Sequence, residues 1–430
     1  MRKSFLFEKV SRHDLLTFFA ITLFYFFEAG QMSYFNVLAP TFLSLGIYHH
    51  AQIASLSAAY YYGDVVGLLP VGFMLDRFPL RKTLLFAISG SILAAFLLFI
   101  SVNIYLQWFA RFFCGFFGGT FSFIGGIRIL ALLFSKRFTL YVGLFLAAGM
   151  LGGLVCQYPL LMLVNDYGIK SAMLIMASFG ILVILINFLC LHPTYENTHH
   201  NKTTINSKQL LNSLLMILKN KKNWFDCILV IFLDTPVSII GTLWGVVIFI
   251  HLFQFTDIHS TYVVMALFIG LMIGLPTWGL IADKFQHPEW IVLVGSGVSF
   301  LTLLPQLFSI PLSLSIVLAL YFLLGFFSSC QTLCFTWLTK NMKPELVGTN
   351  SAFNSMVFMS ANGLVKQLSG MMLAGSLCFF SVDVTKNVLL FISVLMLLAF
   401  GGVLIRRKIF NKLRSHPSPM GEWRAGLSCE

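Results

Sequence analysis

The sequence predicts an all-α membrane protein with twelve transmembrane helices, arranged in two pseudo-symmetric bundles of six. Composition is the first reason: only 10% of the 430 residues are charged and 58% are hydrophobic, whereas about 25% of the residues in a soluble domain are charged. Long uncharged runs are the second reason, and the longest covers the 50 residues from Trp290 to Thr339. The third is a short motif in the first half of the chain that recurs in the second half.

The uncharged runs define the helices. A membrane-spanning helix needs about 20 consecutive, mainly apolar residues, and lipid admits only backbone that satisfies its own hydrogen bonds. The runs therefore predict helices near residues 14–43, 52–75, 82–102, 105–134, 138–164, 171–192, 224–250, 260–282, 290–310, 312–338, 346–373 and 384–405. The predicted organisation is an N-terminal segment 1–13, a first bundle 14–192, a polar and basic linker 193–223, a second bundle 224–405 and a tail 406–430.

Positive charge predicts the orientation of these helices, because Lys and Arg collect in short cytoplasmic loops. With both termini in the cytoplasm, 23 of the 28 Lys and Arg residues fall in cytoplasmic segments, and only Lys170 and Lys386 fall in outer loops. The first apolar run, residues 15–43, is too long for a signal-peptide core and lacks a small-residue cleavage site, so we expect no cleaved leader. Attraction to anionic membrane lipid accounts for the net charge of +12 without any nucleic-acid partner.

The recurring motif lies at the end of the second helix of each half. The stretch "GLLPVGFMLDRF" (67–78) is matched 207 residues later by "GLPTWGLIADKF" (274–285). With the loop that follows it, the first copy comprises Gly72, Asp76, Arg77, Arg81 and Lys82. The second copy keeps Gly279, Asp283 and Lys284, but has Pro288 and Glu289 in place of the later bases. This repeat indicates two copies of one six-helix design.

Two six-helix halves with this motif after the second and eighth helices resemble the major facilitator superfamily. The stretches "LQWFARFFCG" (106–115) and "KPELVGTNSAF" (343–353) are similar to the family's fourth helix and to the junction into its eleventh. The resemblance implies two bundles that rock about a central site. It also implies a cytoplasmic latch, in which the motif glycines let helix 2 approach helix 11 and Asp76 accepts hydrogen bonds from the amides that begin helix 11. The alternative is that these charges only anchor loops.

Six charged residues fall inside the predicted helices, where charge is costly and usually functional. They are Glu28, Asp64, Asp234, Arg111, Arg128 and Lys366. Desolvation disfavours the charged form of a carboxyl group, so the acids are candidates for proton coupling: Glu28 first, its second-half counterpart Asp234 next and Asp64 third. Arg111 and Lys366 are expected to face the cavity and attract an anionic group on the substrate. Arg128 serves the inner vestibule or anchors its helix, and the alternative for the whole set is structural pairing of acids with bases.

Uncharged polar residues on the same helices are weaker candidates for substrate binding, since such groups often bond across helices instead. They are Gln31, Asn36, Tyr61, Gln157, Asn354, Asn362 and Gln367. Cys330 and Cys334 share a helix face without further Cys or His partners nearby, which favours packing over a metal site. We find no enzyme motif and expect no cofactor.

These observations predict a secondary active transporter of the bacterial inner membrane, monomeric and driven by protons. Its expected substrate is a small organic anion or zwitterion, such as a carboxylate metabolite, an amino acid or a polycarboxylate siderophore. Two rival interpretations are a proton-driven exporter of drugs or siderophores and a transporter-like sensor that no longer turns over. The fifth helix, "GLFLAAGMLGGLVCQYP" (143–159), lacks the Gly-Pro signature of drug antiporters, which disfavours multidrug export.

Overall fold

The computed structural model describes residues 11–100, 103–134, 137–191, 215–284, 288–308, 312–340, 344–376 and 383–415. All regular secondary structure in these ranges is helical. Nine of the described segments are long and apolar enough to cross a membrane. One of them, Leu140–Cys190, has 51 residues and holds two passes, because the backbone turns at Gly168 with φ of 77°.

The helices of the first half are numbered α1 to α6. They comprise Arg12–Ser33 with Phe35–Ser44 (α1), His50–Arg77 (α2), Leu80–Ile100 (α3), Ile104–Phe113 with Cys114–Gly119 and Thr120–Leu133 (α4), Phe138–Val155 with the start of Tyr158–Cys190 (α5), and the rest of Tyr158–Cys190 beyond Gly168 (α6). The second half supplies α7 to α12. They comprise Lys221–Pro236 with Val237–Trp244 and Gly245–Phe253 (α7), Asp257–Lys284 (α8), Pro288–Leu307 (α9), Leu314–Ser328 with Gln331–Lys340 (α10), Pro344–Leu373 (α11) and Val384–Ser415 (α12).

These ranges confirm the predicted all-α fold of two six-helix halves. One boundary was wrong: α12 continues to Ser415, ten residues past the predicted end at 405, so the predicted tail begins as helix. Two interruptions were not predicted either. Cys114–Gly119 in α4 and Val237–Trp244 in α7 are π-helical, a rare conformation that is frequent at functional sites.

Glycine contacts repeat between the halves and explain how the helices cross. In the first half, a methyl group built on Gly63 would overlap the carbonyl of Phe112, and one built on Gly115 would overlap that of Tyr60. Side chains at these positions would force α2 and α4 apart, so only glycine permits their contact. In the second half, Gly270 and Gly325 bring α8 and α10 together in the same way.

The two bundles meet along three helix pairs: α1 with α7, α2 with α11 and α5 with α8. The polar contacts between the two bundles lie towards one end of the helices, which we call the closed end. The motif loops lie at the opposite end, which we call the basic end. At the basic end, a methyl group built on Gly72 or Gly279 meets no atom of the described residues within 4 Å. The expectation that Gly72 packs α2 closely on α11 is therefore not met among the described residues in this conformation. The close glycines of the motif stretches are Gly67 and Gly274, which pack on α4 and α10.

Candidate functional site

Glu28 lies in the interior of the first bundle, with only 1% of its surface exposed. Its carboxylate accepts hydrogen bonds from the hydroxyl of Ser91 on α3 and, at 3.4 Å, from the hydroxyl of Tyr60 on α2. It occupies the space that a side chain at Gly118 would fill, within the π-helical segment of α4. The first proton-coupling candidate is thus enclosed by three neighbouring helices, and its two hydrogen-bond partners are neutral hydroxyls.

Asp64 lies against the same π-helical segment. The hydroxyl of Thr120 donates to its Oδ1 at 2.5 Å and to its backbone carbonyl at 2.9 Å. A methyl group built on Gly119 would lie 3.1 Å from the Tyr60 hydroxyl and 3.2 Å from Asp64 Oδ1. The hydroxyl and the carboxylate are therefore no more than 6.3 Å apart, the sum of these two distances. The structure brings Glu28 and Asp64 together around Tyr60.

Arg111 is fully buried, with 0% of its surface exposed, and does not face the cavity as expected. Its Nη1 donates to the carbonyl of Gln31 at 3.1 Å and to the hydroxyl of Tyr34 at 3.3 Å. Its guanidinium also lies about 5 Å from the ring centres of Tyr34, Phe35 and Tyr60, so aromatic faces share its charge. Side chains of its own bundle thus enclose this arginine.

Lys366 is also fully buried and differs from expectation in the same way. Its Nζ donates to Ser57 Oγ at 3.3 Å and to the hydroxyl of Thr242, and it lies 4.9 Å from the ring centre of Tyr61. These partners belong to α2 and α7, so the lysine of α11 joins the two bundles at the closed end. An ion pair with an acid does not explain the position of Lys366, because no carboxylate of the described residues lies within 4.0 Å of its Nζ.

Asp234 on α7 is the candidate acid that remains partly exposed. Gln331 on α10 donates to its Oδ1 at 2.8 Å, and the amide of Asn362 on α11 also lies within hydrogen-bonding reach. The structure therefore brings together residues that the sequence placed on three separate helices. Gln331 was not among the predicted site residues, because a single glutamine in an apolar helix carries no distinguishing pattern.

Asn36 makes the second polar connection between the bundles. Its Nδ2 donates to Gln157 Oε1 at 3.0 Å within its own bundle and to the carbonyl of Gly241 at 3.3 Å in α7. Its Oδ1 accepts from the backbone N–H of Val246 at 3.2 Å. A π-helical segment disturbs the regular hydrogen bonds of its helix, so Asn36 supplies partners to backbone groups at the α7 interruption.

Most of the remaining polar candidates serve structural contacts. Gln367 accepts from the Tyr62 hydroxyl at 2.9 Å, again between α11 and α2. Asn354 accepts from Asn223 and from the thiol of Cys227, both at 3.0 Å, inside the second bundle. The other positions are as follows: Gln31 is buried on α1, Arg128 is partly buried on α4, Tyr61 lies beneath Lys366, and Cys330 and Cys334 are buried free thiols. Within the described ranges, no group of three His, Cys, Asp or Glu residues is arranged to hold a metal ion.

The charged motif residues at the basic end differ in their contacts. Arg81 donates to the carbonyl of Phe188 at 2.8 Å and so anchors α6, while Arg77, Lys82 and Lys284 are exposed. The side chains of Asp76 and Asp283 lie outside the described part of the structure, so the latch expected of them remains a prediction.

Arg406 on α12 accounts for the acid that stands in place of a base in the second motif copy. Its Nη1 lies 3.6 Å from Glu289, and its Nε donates to Asp226 at 2.8 Å. The side chain also stacks on Trp337, with its guanidinium carbon 3.8 Å from the ring centre. An acid at position 289 thus completes a buried charge cluster. Sequence reasoning missed this cluster because it assigned Arg406 to the tail.

The comparisons with known proteins agree with this architecture. Residues 21–365 match the family model of the Major Facilitator Superfamily. The solved nucleoside transporter NupG aligns with a TM-score of 0.72 at 11% identity, over 92% of this chain and 99% of that chain. A point mutant of the same transporter aligns with a TM-score of 0.72 at 10% identity, over 91% and 98%. A D-xylose-proton symporter aligns with a TM-score of 0.68 at 15% identity, over 91% and 96%.

A search of curated proteins found no match. At these identities, the solved structures show a shared fold. The family model covers most of the chain, and the helices enclose polar residues between two bundles. This multi-pass membrane protein is therefore a transporter, not an enzyme, and belongs to the major facilitator superfamily.

Proposed function

We propose that the protein is a proton-driven secondary transporter that moves a small organic solute across a bacterial inner membrane by alternating access. The observation that carries the proposal is the enclosure of Glu28 between α2, α3 and α4, with hydroxyl partners and no ion pair among the described residues. A carboxyl group in such a place holds a proton in its neutral form and needs a rearrangement of its neighbours to release it. Release is thereby tied to the movement of the bundle.

Alternating access is supported by the asymmetry of the two ends. Polar contacts join the bundles at the closed end, whereas Gly72 and Gly279 meet no neighbour at the basic end within the described part of the chain. The positive charge of the loops supports a cytoplasmic location for the basic end and for both termini. The conformation is then an inward-facing one, in which solute reaches the centre from the cytoplasm. Proton coupling is a mode that this fold supports, since one of the similar structures is a proton symporter.

The sequence favoured an anionic or zwitterionic substrate because of two intramembrane bases. Arg111 and Lys366 are both enclosed, so they offer no free positive charge to the cavity in this conformation. Among the six intramembrane charges, the partly exposed acid is Asp234. The structure thus supports the zwitterion more than the simple anion or the polycarboxylate siderophore. We propose that the working unit is a monomer surrounded by lipid.

The test of proton coupling uses the purified full chain in liposomes that contain a pH-sensitive dye. Candidate solutes include amino acids, di- and tricarboxylates, nucleosides and ferric siderophores. Solute-dependent acidification of the lumen is expected for at least one of them. Glu28→Gln should abolish accumulation driven by a proton gradient and preserve exchange of solute for solute. Asp166→Asn, which changes an exposed acid near the turn between α5 and α6, should leave both unchanged.

The outcomes separate the rival functions. Accumulation by Glu28→Gln at the wild-type level would remove Glu28 as the coupling residue and turn attention to Asp64. Solute leaving the vesicles in exchange for protons would favour the exporter. Folded protein that moves neither solute nor protons in either direction would favour the sensor.

A further inference from the structure

The repeat makes Glu28 and Asp234 equivalent positions, yet the two acids have different surroundings. "YFFE" (25–28) in α1 corresponds to "IFLD" (231–234) in α7, at a shift of 206 residues. Glu28 is 1% exposed and is hydrogen-bonded by two hydroxyls, whereas Asp234 is partly exposed and accepts from the amide of Gln331. Asp234 is therefore the more exposed of the two acids in this conformation. The two copies have therefore diverged into an enclosed acid and an accessible one.

The carboxylate of Asp234 lacks a counter-charge in contact with it. Its hydrogen-bond donor is the neutral amide of Gln331, at 2.8 Å, and the amide of Asn362 lies nearby while donating to the carbonyl of Phe358 at 3.2 Å. No Lys or Arg nitrogen of the described residues lies within 4.0 Å of it. The charged group that acts on it from a distance is Lys366, whose ammonium group is bonded to Ser57 and Thr242. Amide donors stabilise a carboxylate but do not neutralise it, and a charge within the membrane needs a partner of opposite sign.

A second acceptor lies beside this carboxylate. Gln331 donates to Asp234 through Nε2, while its Oε1 is buried and has no hydrogen-bond partner among the described residues. An unpaired buried carbonyl oxygen is unfavourable. A primary ammonium group carries three donors and a positive charge. It can therefore neutralise Asp234 and satisfy Gln331 Oε1 at the same time.

We propose that Asp234, Gln331 and Asn362 form a recognition site for the protonated amine of the transported solute. This inference rests on the proposed transport function and narrows its substrate class to amine-bearing solutes, zwitterionic amino acids among them. Asp234 is then a specificity residue and not a proton carrier, which separates its role from that of Glu28. Gln331 on α10 holds the carboxylate of α7 in place and Asn362 lies beside it on α11, so binding of the amine connects three helices of the second bundle.

The binding test compares solutes that differ only in the ammonium group. Purified full-length protein is titrated with amino acids and polyamines, and with their N-acetyl derivatives and α-hydroxy acid analogues. Binding is followed by thermal shift and by calorimetry. At least one free amine should bind, and the derivative without the ammonium group should bind at least about 10-fold more weakly, the factor that corresponds to about 1.4 kcal/mol. Asp234→Asn should remove this discrimination.

Two further variants keep the inference testable if Asp234→Asn does not fold. Gln331→Ala removes one acceptor and should weaken amine binding about fivefold, the effect of one hydrogen bond. Asp166→Asn, which changes an exposed acid outside the site, should retain amine binding.

The inference is overturned if no amine binds, if acetylated solutes bind as tightly as free amines, or if Asp234→Asn binds amines with unchanged affinity. Proton-coupled uptake of sugars, nucleosides or anions would then leave the proposed transport function standing without the amine site. Amine binding without proton movement would retain the site and remove proton coupling instead.

Discussion

Replacement of Asn36 by leucine tests whether the contacts between the bundles hold the closed end together. The side chain is fully buried, and its partners in the second bundle are the carbonyl of Gly241 and the N–H of Val246. Leucine has a similar volume but offers neither donor nor acceptor. When the bundles meet, Asn36→Leu leaves both backbone groups without this partner. When they separate at this end, water can replace it, so the variant destabilises one conformation selectively.

The magnitude follows from these two hydrogen bonds. A buried polar group that loses its partner costs about 1–3 kcal/mol, and hydrogen bonds between membrane helices average about 0.6 kcal/mol. At about 1 kcal/mol each, the two contacts contribute about 2 kcal/mol to the closed end. Since every 1.4 kcal/mol is a factor of ten, the ratio of open to closed molecules at this end should rise about 30-fold.

Spin labels measure this ratio directly. Labels at Leu45 and Thr256, exposed residues between α1 and α2 and between α7 and α8, report the separation of the bundles at the closed end. Asn36→Leu should increase the longer distances in the pulsed EPR distribution. The matched control is Asn187→Leu, since Asn187 is 1% exposed but bonds to Ala20 and Val183 of its own bundle. An unchanged distribution in Asn36→Leu, or an equal shift in the control, would refute the reasoning.

Three further substitutions test stability, which is measured by thermal unfolding of the purified protein. One of them also tests turnover, which is measured as the transport rate. Gly67→Ala should lower Tm because its new methyl group would lie 2.5 Å from the Thr120 hydroxyl. Gly72→Ala should leave Tm unchanged and slow transport, as expected if the motif glycine packs only in the other conformation; a large drop in Tm would contradict this. Arg406→Met should cost about 3–5 kcal/mol of stability, because it leaves the buried Asp226 without its ionic partner. A change in Tm of less than about 2 °C would show that this ion pair is dispensable.

The helices could be predicted because the membrane imposes a simple requirement on sequence. About 20 apolar residues must be helical to cross it, so the runs and the basic loops sufficed. The π-helical interruptions could not be predicted in this way. Cys114–Gly119 and Val237–Trp244 are as apolar as the helices around them. Their backbone depends on tertiary partners such as the carboxylate of Glu28 and the amide of Asn36.

The same argument explains which parts of the site could be predicted. The charged residues within the membrane were evident from the sequence, because each interrupts an apolar run. Their direction was not, because a helix such as α1, which is almost evenly apolar, has little polar face to show its rotation. Close approach of α2 and α4 at Gly63 and Gly115 helps to fix that rotation. It places Arg111 inside its bundle, where residue count alone suggested a cavity position.

The repeat connects the two contacts of the closed end. Asn36 corresponds to Thr242 at a shift of 206 residues, and "GLVCQ" (153–157) corresponds to "GLVKQ" (363–367) at a shift of 210. In the first half, Asn36 on α1 bonds to Gln157 on α5; in the second, Thr242 on α7 accepts from Lys366 on α11. Each pair then contacts the opposite bundle, the first through the α7 backbone and the second through Ser57.

At the shift of 210, Gln157 corresponds to Gln367 and Cys156 to Lys366. The closed end is thus held by two contacts that join corresponding helices through non-equivalent partners and different chemistry. The first depends on amide geometry and carries no charge, whereas the second depends on a lysine held by hydroxyls and an aromatic ring. A duplicated design would begin with equal contacts on both sides. Their divergence parallels that of Glu28 and Asp234, where one half encloses its acid and the other exposes it. In the proposed mechanism, the two bundles share a scaffold and divide the tasks: the first binds the proton through Glu28 and the second binds the solute through Asp234.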